Sequence, residues 1–173
     1  MYELKDPHTT FASSPEAAHQ RPLGLPILAI GGLALLGVPR VVLHDMGLIE
    51  EGTFINSLFV FVPVVIWVAV TVLMRLRRPF LTLLVVSVTY GVFLALVHQI
   101  FWGAAFPGGT PELGGNLAGL DPMAQSVIVR FFSVITSLVT GALVGVVTGL
   151  IAAGLSALLP SGTSGSNSPG TRA

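Results

Sequence analysis

A chain of 173 residues with 53% hydrophobic and only 9% charged side chains falls far below the roughly 25% charge of soluble domains, and its composition belongs in a bilayer. Eight acidic and eight basic residues cancel, so there is no overall attraction to a polyanion and nucleic-acid binding is set aside. The absence of cysteine excludes disulfide exchange, thiolate zinc sites and iron–sulfur clusters, each of which needs the sulfur itself.

In chain order, residues 1–22 mix proline, serine, threonine and charge without hydrophobic periodicity, the composition of a disordered tail. Four apolar runs follow, at about 23–43, 54–74, 79–102 and 127–159, each reaching the roughly 20 residues that cross about 30 Å of hydrocarbon. A removable signal peptide is not expected, because the first run starts only after the polar tail and no A-x-A-like site follows it. Thr53 is placed to cap the second run, Pro79 opens the third, and Asp121 followed by Pro122 marks a helix start before the fourth. Pro63, in the middle of the second run, removes one backbone donor and frees the carbonyl of Phe59, so a bend is expected there. The most apolar part of the last run, Phe131 to Leu159, would measure roughly 43 Å as a helix, and its ends should protrude. Pro160 to Ala173 is rich in Gly, Ser and Pro and reads as a second disordered tail. The expected architecture is all-α: a polytopic membrane protein, four transmembrane helices in an up-down bundle with disordered polar termini.

Arg75, Arg77 and Arg78 crowd the short connection between the second and third runs, and such clusters are strongly biased to the cytoplasm. Both tails are then cytoplasmic, in agreement with Lys5 and Arg21, and the connections holding Glu50 and Glu51 and running from Gly103 to Asp121 face outward across the plasma membrane. Arg40 and Arg130 fall at the outer ends of their runs and speak against this direction. Trp102 is expected as an interfacial anchor, and Tyr90 as a hydrogen-bonding partner for a neighbouring helix.

The last run carries the clearest pattern. Every fourth residue from Ser133 is small: Ser137, Gly141, Gly145, Gly149, Ala153 and Ala157, a row that lets another helix backbone come close. Because an i, i+4 row precesses by about 40° per step, it winds through roughly 240° and no single straight partner can follow it. The third run offers a shorter antiparallel match in Ser87, Gly91 and Ala95. Thr136, Thr140 and Thr148 lie to one side and are expected to hydrogen-bond across the contact. The inner part, Gly149 to Ala157, then needs the first two runs or another chain to cover it.

No Asp or Glu lies inside any run, which removes the usual proton-binding carboxylate of a coupled transporter or pump. Polar side chains gather instead at the outer boundary: Arg40, His44, Asp45, Glu50, Glu51, His98, Gln99, Asp121 and Arg130. The plain reading is that the two arginines snorkel and pair with carboxylates. A sharper one makes Arg40, His44, Asp45, His98, Gln99 and Arg130 a shallow ligand site, the guanidinium groups holding an anion. A metal site built on His44, Asp45, Glu50, Glu51 and His98 is a weaker third, since no two histidines are spaced i, i+3 or i, i+4. Neither a Gly-x-Ser-x-Gly elbow nor a Ser-x-x-Lys pair occurs, so no catalytic residue, cofactor site or metal site is assigned. The expected function is that of a non-catalytic accessory or scaffold subunit, or a self-associating bundle, whose partners are the lipid bilayer and, through the last helix, itself or another membrane subunit. The alternative is a small permease or solute-binding membrane protein using the outer polar residues.

Overall fold

The computed structural model describes residues 23–159, and both polar tails lie outside the described residues. All regular structure there is helical: α1 (Ile27–Leu35), α2 (Val38–Asp45), α3 (Phe54–Leu73), α4 (Pro79–Ile100), the single turn α5 (Trp102–Ala105), a 3-10 turn at Gly115–Leu117, and α6 (Pro122–Leu158). Four helical stretches are long and apolar enough to cross a membrane, α1 and α2 together counting as one.

Local chemistry sets the boundaries. Thr53 Oγ1 accepts from Asn56 N at 3.2 Å and caps α3, while Asp121 Oδ1 accepts from Met123 N at 2.8 Å with Pro122 at the first helical position of α6. At the other end of α3, Arg75 adopts a left-handed φ of 49°. Its N–H bonds to Val72 O and that of Leu76 to Thr71 O, at 3.0 and 3.2 Å, the paired 5→2 and 6→1 bonds of a Schellman cap. A non-glycine residue in this conformation costs about 1–2 kcal/mol, and here it keeps an arginine in the tight link to α4.

The first span is broken, which its continuous apolar run did not announce. Leu36 N and Gly37 N turn back to Leu33 O and Ala34 O, a tightened turn, and Pro39 in the first turn of α2 withholds the N–H that would continue the ladder. Tyr90 fills the notch: a Cβ on Gly37 would stand 2.6 Å from its ring. The indole of Trp67 donates to Leu33 O at 2.7 Å beside the break, tying α1 to α3, and Thr82 Oγ1 donates to Leu23 O at 2.9 Å, tying the segment before α1 to α4. Trp67, Leu83, Val86, Ile30, Ala34 and Ala152 form the main core around these ties. Pro63 sits inside α3 without interrupting it.

The most extensive interhelical contact is between α4 and α6, and it is antiparallel. A Cβ on Gly91 would lie 2.9 Å from Ser137 O. One on Gly141 would lie 2.5 Å from Ser87 O and 2.8 Å from the Cα of Gly91, one on Gly145 3.0 Å from the Cα of Leu84, and one on Gly149 3.0 Å from Phe80 O. Ala95 is buried further along α4. The small-residue row is used only in part. From Gly145 the buried line steps to Thr148, Gly149 and Ala152, following the 3.6-residue face of the helix instead of the precessing i+4 row. Ala153 is half-buried and Ala157 exposed. The threonines do not reach across: Thr136 Oγ1 donates to Phe132 O at 2.9 Å and Thr148 Oγ1 to Val144 O at 2.7 Å, because the carbonyl one turn back is the nearest acceptor. With 37 residues, α6 is about 55 Å long, longer than its apolar part alone suggested, since the cap at Asp121 starts it well before Phe131.

Gly141→Ala is expected to lower stability by about 1–3 kcal/mol, because backbone faces the added methyl on the α4 side. Gly154→Ala, with open space around it, is expected to be neutral or stabilising by up to about 1 kcal/mol. Ser87→Ala is expected to be neutral or better, since the buried Ser87 hydroxyl has no partner. Unfolding of the three variants in mild detergent checks these values, and equal losses at residues 141 and 154 would refute the close contact.

Candidate functional site

The break at Gly37 turns α2 as a separate segment, so its polar side chains are aimed independently of α1. Arg40 Nε donates to Asn56 Oδ1 at 3.0 Å, and its Nη2 lies 3.9 Å from the carboxylate of Glu51, itself 74% exposed. Asn56 is on the first turn of α3, so this bond fixes α2 against α3. One turn beyond Arg40, Asp45 points inward and is 3% exposed at its side chain. Its Oδ2 lies 2.7 Å from Nδ1 of His98 on α4. Its other oxygen is 3.5 Å from Nδ1 of His44, whose Nε2 stands 3.4 Å from Glu51. A carboxylate only accepts, so His98 donates through Nδ1.

Arg130 belongs to a different group. Its Nη1 donates to Gln99 Oε1 at 3.2 Å, and Gln99 Nε2 donates to the carbonyl of Arg130 at 3.3 Å, a two-way clasp across the end of the α4–α6 contact remote from Phe80. The guanidinium lies 4.5 Å from the centre of the Trp102 ring, within cation–π range. Trp102 is therefore not a lipid-facing anchor. It is 7% exposed, its ring is 4.8 Å from Phe106, and its indole donates to Thr110 Oγ1 at 3.2 Å. Gln125 holds the long connection on the same side, accepting from Leu113 N and donating to Leu120 O at 2.7 and 2.8 Å.

The polar residues expected at the outer boundary thus resolve into separate sets. His44, Asp45, Glu51 and His98 come together. Arg40 joins them only through Glu51. Gln99 and Arg130 pair with each other, Glu50 lends its carbonyl to Thr53, and Asp121 serves as a helix cap. Of the carboxylate pairing expected for the arginines, Arg40 reaches Glu51 at 3.9 Å while Arg130 has Gln99 and the Trp102 ring instead; the two guanidinium groups of the alternative anion site are not brought together. No group of three or more metal-ligating side chains meets at one point among the described residues.

Two cavities border these sets. The larger, about 650 Å³, has His44, Asp45 and His98 on one side and Trp102, Phe106 and Phe132 among its apolar walls. Ser133 and Thr136 of α6 complete it. The smaller, about 130 Å³, lies deeper between Arg40, Pro63, Trp67, Tyr90 and Thr140. Arg130 lines neither. Tyr90 packs its ring against Gly37 and 5.8 Å from Trp67 instead of bonding a neighbouring helix through its hydroxyl. Asn56 and Phe132 were not among the sequence candidates. An amide three residues into an apolar run was a usable signal for the first, whereas nothing in the pattern distinguished Phe132 from other lipid-facing aromatics.

Compared with known proteins, the chain matches no protein-family model, no curated protein and no solved structure. Its chemistry is read from this geometry alone.

A double-mutant cycle on Asp45→Asn and His98→Phe, followed by unfolding in mild detergent, is expected to return a coupling of about 1.5–3 kcal/mol for a charge-assisted hydrogen bond. Strictly additive single losses would refute the pairing.

Proposed function

We propose that this chain is a non-catalytic, multi-pass plasma-membrane protein that binds a small amphipathic solute at the outer end of its bundle, with the spans running up and down and both termini in the cytoplasm. One observation carries the binding reading: a cavity of about 650 Å³ whose apolar and aromatic walls converge on the paired Asp45 and His98. That size and that mixture of broad apolar surface with a few fixed polar groups are the ordinary character of a small-molecule site. The orientation is supported by Arg75, Arg77 and Arg78 in the tight link between α3 and α4.

Thermal unfolding against a panel of neutral, anionic and cationic amphiphiles tests the binding reading. A subset is expected to raise the Tm of the wild-type chain, and Ala105→Trp, which fills the cavity from its wall, should abolish that response. A wild-type Tm indifferent to the whole panel overturns the reading. Orientation is tested separately, because a chain without cysteine reports single labels without background. Gly114→Cys is expected to react with a membrane-impermeant maleimide on intact cells and Met74→Cys only after the membrane is opened; the reverse pattern overturns the assignment.

A second reading, as an accessory subunit, is favoured by the inner end of α6. Ala153 is half-buried and Ala157 exposed, with open space around neighbouring Gly154, so the part of the small-residue row that α4 leaves uncovered is available to another membrane helix. Cross-linking from Ala157→Cys in native membranes checks this, with a strictly monomeric product as the contrary result.

A further inference from the structure

We propose that the larger cavity takes a lipid-soluble ligand with an uncharged hydroxyl headgroup, of the hydroquinone or polyprenol kind, whose hydroxyl donates a hydrogen bond to Nε2 of His98. This rests on the binding reading above and adds the identity of the headgroup.

Hydrogen-bond polarity comes first. Asp45 accepts the Nδ1 proton of His98 at 2.7 Å, and a ring that carries this one proton presents Nε2 as an acceptor. Among the described residues no donor meets that nitrogen, and His98 keeps 30% of its side chain exposed on the cavity. A ligand that fits must therefore donate.

Charge narrows the choice. An anionic headgroup finds no arginine at this wall, since Arg40 is turned to Asn56 and Glu51 and Arg130 to Gln99 and Trp102, and His44, which does line it, already stands between the carboxylates of Asp45 and Glu51. It would also face Asp45. A cationic headgroup finds no open carboxylate, because Asp45 is 3% exposed, with one oxygen on His98 and the other nearest His44. An uncharged donor satisfies His98 without either conflict, and unpaired buried charge is the costly alternative.

Access decides between a dissolved solute and a lipid-borne one. Phe132 on the cavity wall is 58% exposed, and Thr136, also on the wall and exposed, lies six residues inward of Arg130, about 9 Å along the helix. With α6 in a bilayer this side of the cavity faces acyl chains. The headgroup then sits beside His98, near the tilted Trp102–Phe106 pair that suits a flat ring, and the apolar body leaves past Phe132.

The full chain in mild detergent is titrated with decyl hydroquinone held reduced, its dimethyl ether, farnesol and decyl phosphate, reading the Tm shift. The dimethyl ether has the same ring and tail without the donor, so the comparison needs no altered protein. Decyl hydroquinone, farnesol or both should stabilise the wild type at concentrations at least tenfold below those at which the ether or the phosphate acts. Stabilisation by the hydroquinone alone identifies the ring as part of what is recognised, and stabilisation by both identifies the hydroxyl. His98→Phe, which keeps a ring and loses the acceptor, should respond equally to hydroquinone and ether. If the ether matches the hydroquinone in the wild type, the cavity binds amphiphiles but the headgroup assignment is wrong; if none of the four shifts the Tm, the binding reading falls with it.

Discussion

Where α4 crosses α6, backbone meets backbone. Gly141 faces the carbonyl of Ser87 and the Cα of Gly91 so closely that a single methyl on it has no room, and at this point the nearest atoms across the contact are all backbone. In a bilayer, where lipid is as apolar as leucine, such van der Waals closeness is what holds helices together. It also fixes the register. Phe80 against Gly149 at one end and Gln99 clasping Arg130 at the other are consequences of the same alignment. A shift of one helical turn would carry Ser133 and Thr136 away from His98 by about 5.4 Å and open the cavity wall.

That contact was legible in the chain because its cause is local. A row of small residues at i, i+4 on two runs, overlapping in depth, suffices to match Gly91 with Ser137 and Gly141. The helix starts at Thr53, Pro79 and Asp121 were legible for the same reason, each a short-range cap. What the row concealed was its own end. An i+4 series cannot stay on one face, so the buried line leaves it after Gly149 for Ala152, and only the packed structure shows which residue takes over. The break in the first span depends on a ring 53 positions away: Gly37 and Pro39 weaken the helix, but it is Tyr90 that fills the notch. Likewise Asp45 and His98 are separated by 53 residues, and neither periodicity nor spacing joins them.

The same holds for the charges at the outer boundary. Nine polar residues at one depth look like one cluster, so Arg40 and Arg130 read as partners of its carboxylates or, alternatively, as one anion site. Each guanidinium instead took what its own helix neighbours supplied: Asn56 for Arg40, Gln99 and the face of Trp102 for Arg130. Amides serve both guanidinium groups as acceptors; Arg130 adds an aromatic face and Arg40 the exposed carboxylate of Glu51. The arginines therefore act as fasteners between helices, and the cavity is left with acceptors.

The pairing of Asp45 with His98 is then the feature that packing alone does not explain. Burying such a pair gains little stability, because apolar residues of similar volume commonly do as well or better in its place. A chain with 9% charged residues has ample apolar material to close this wall. The pair is nonetheless held from several sides, with α2 turned by the Gly37 break, pinned to α3 through Asn56, and placed opposite His98 by the α4–α6 register. Asp45 holds this imidazole by Nδ1 where it lines the cavity, as a second partner commonly orients a ligand-binding histidine. An imidazole held in this way, with Trp102, Phe106 and Phe132 around the same cavity, is what the proposed hydroxyl-bearing amphiphile would use.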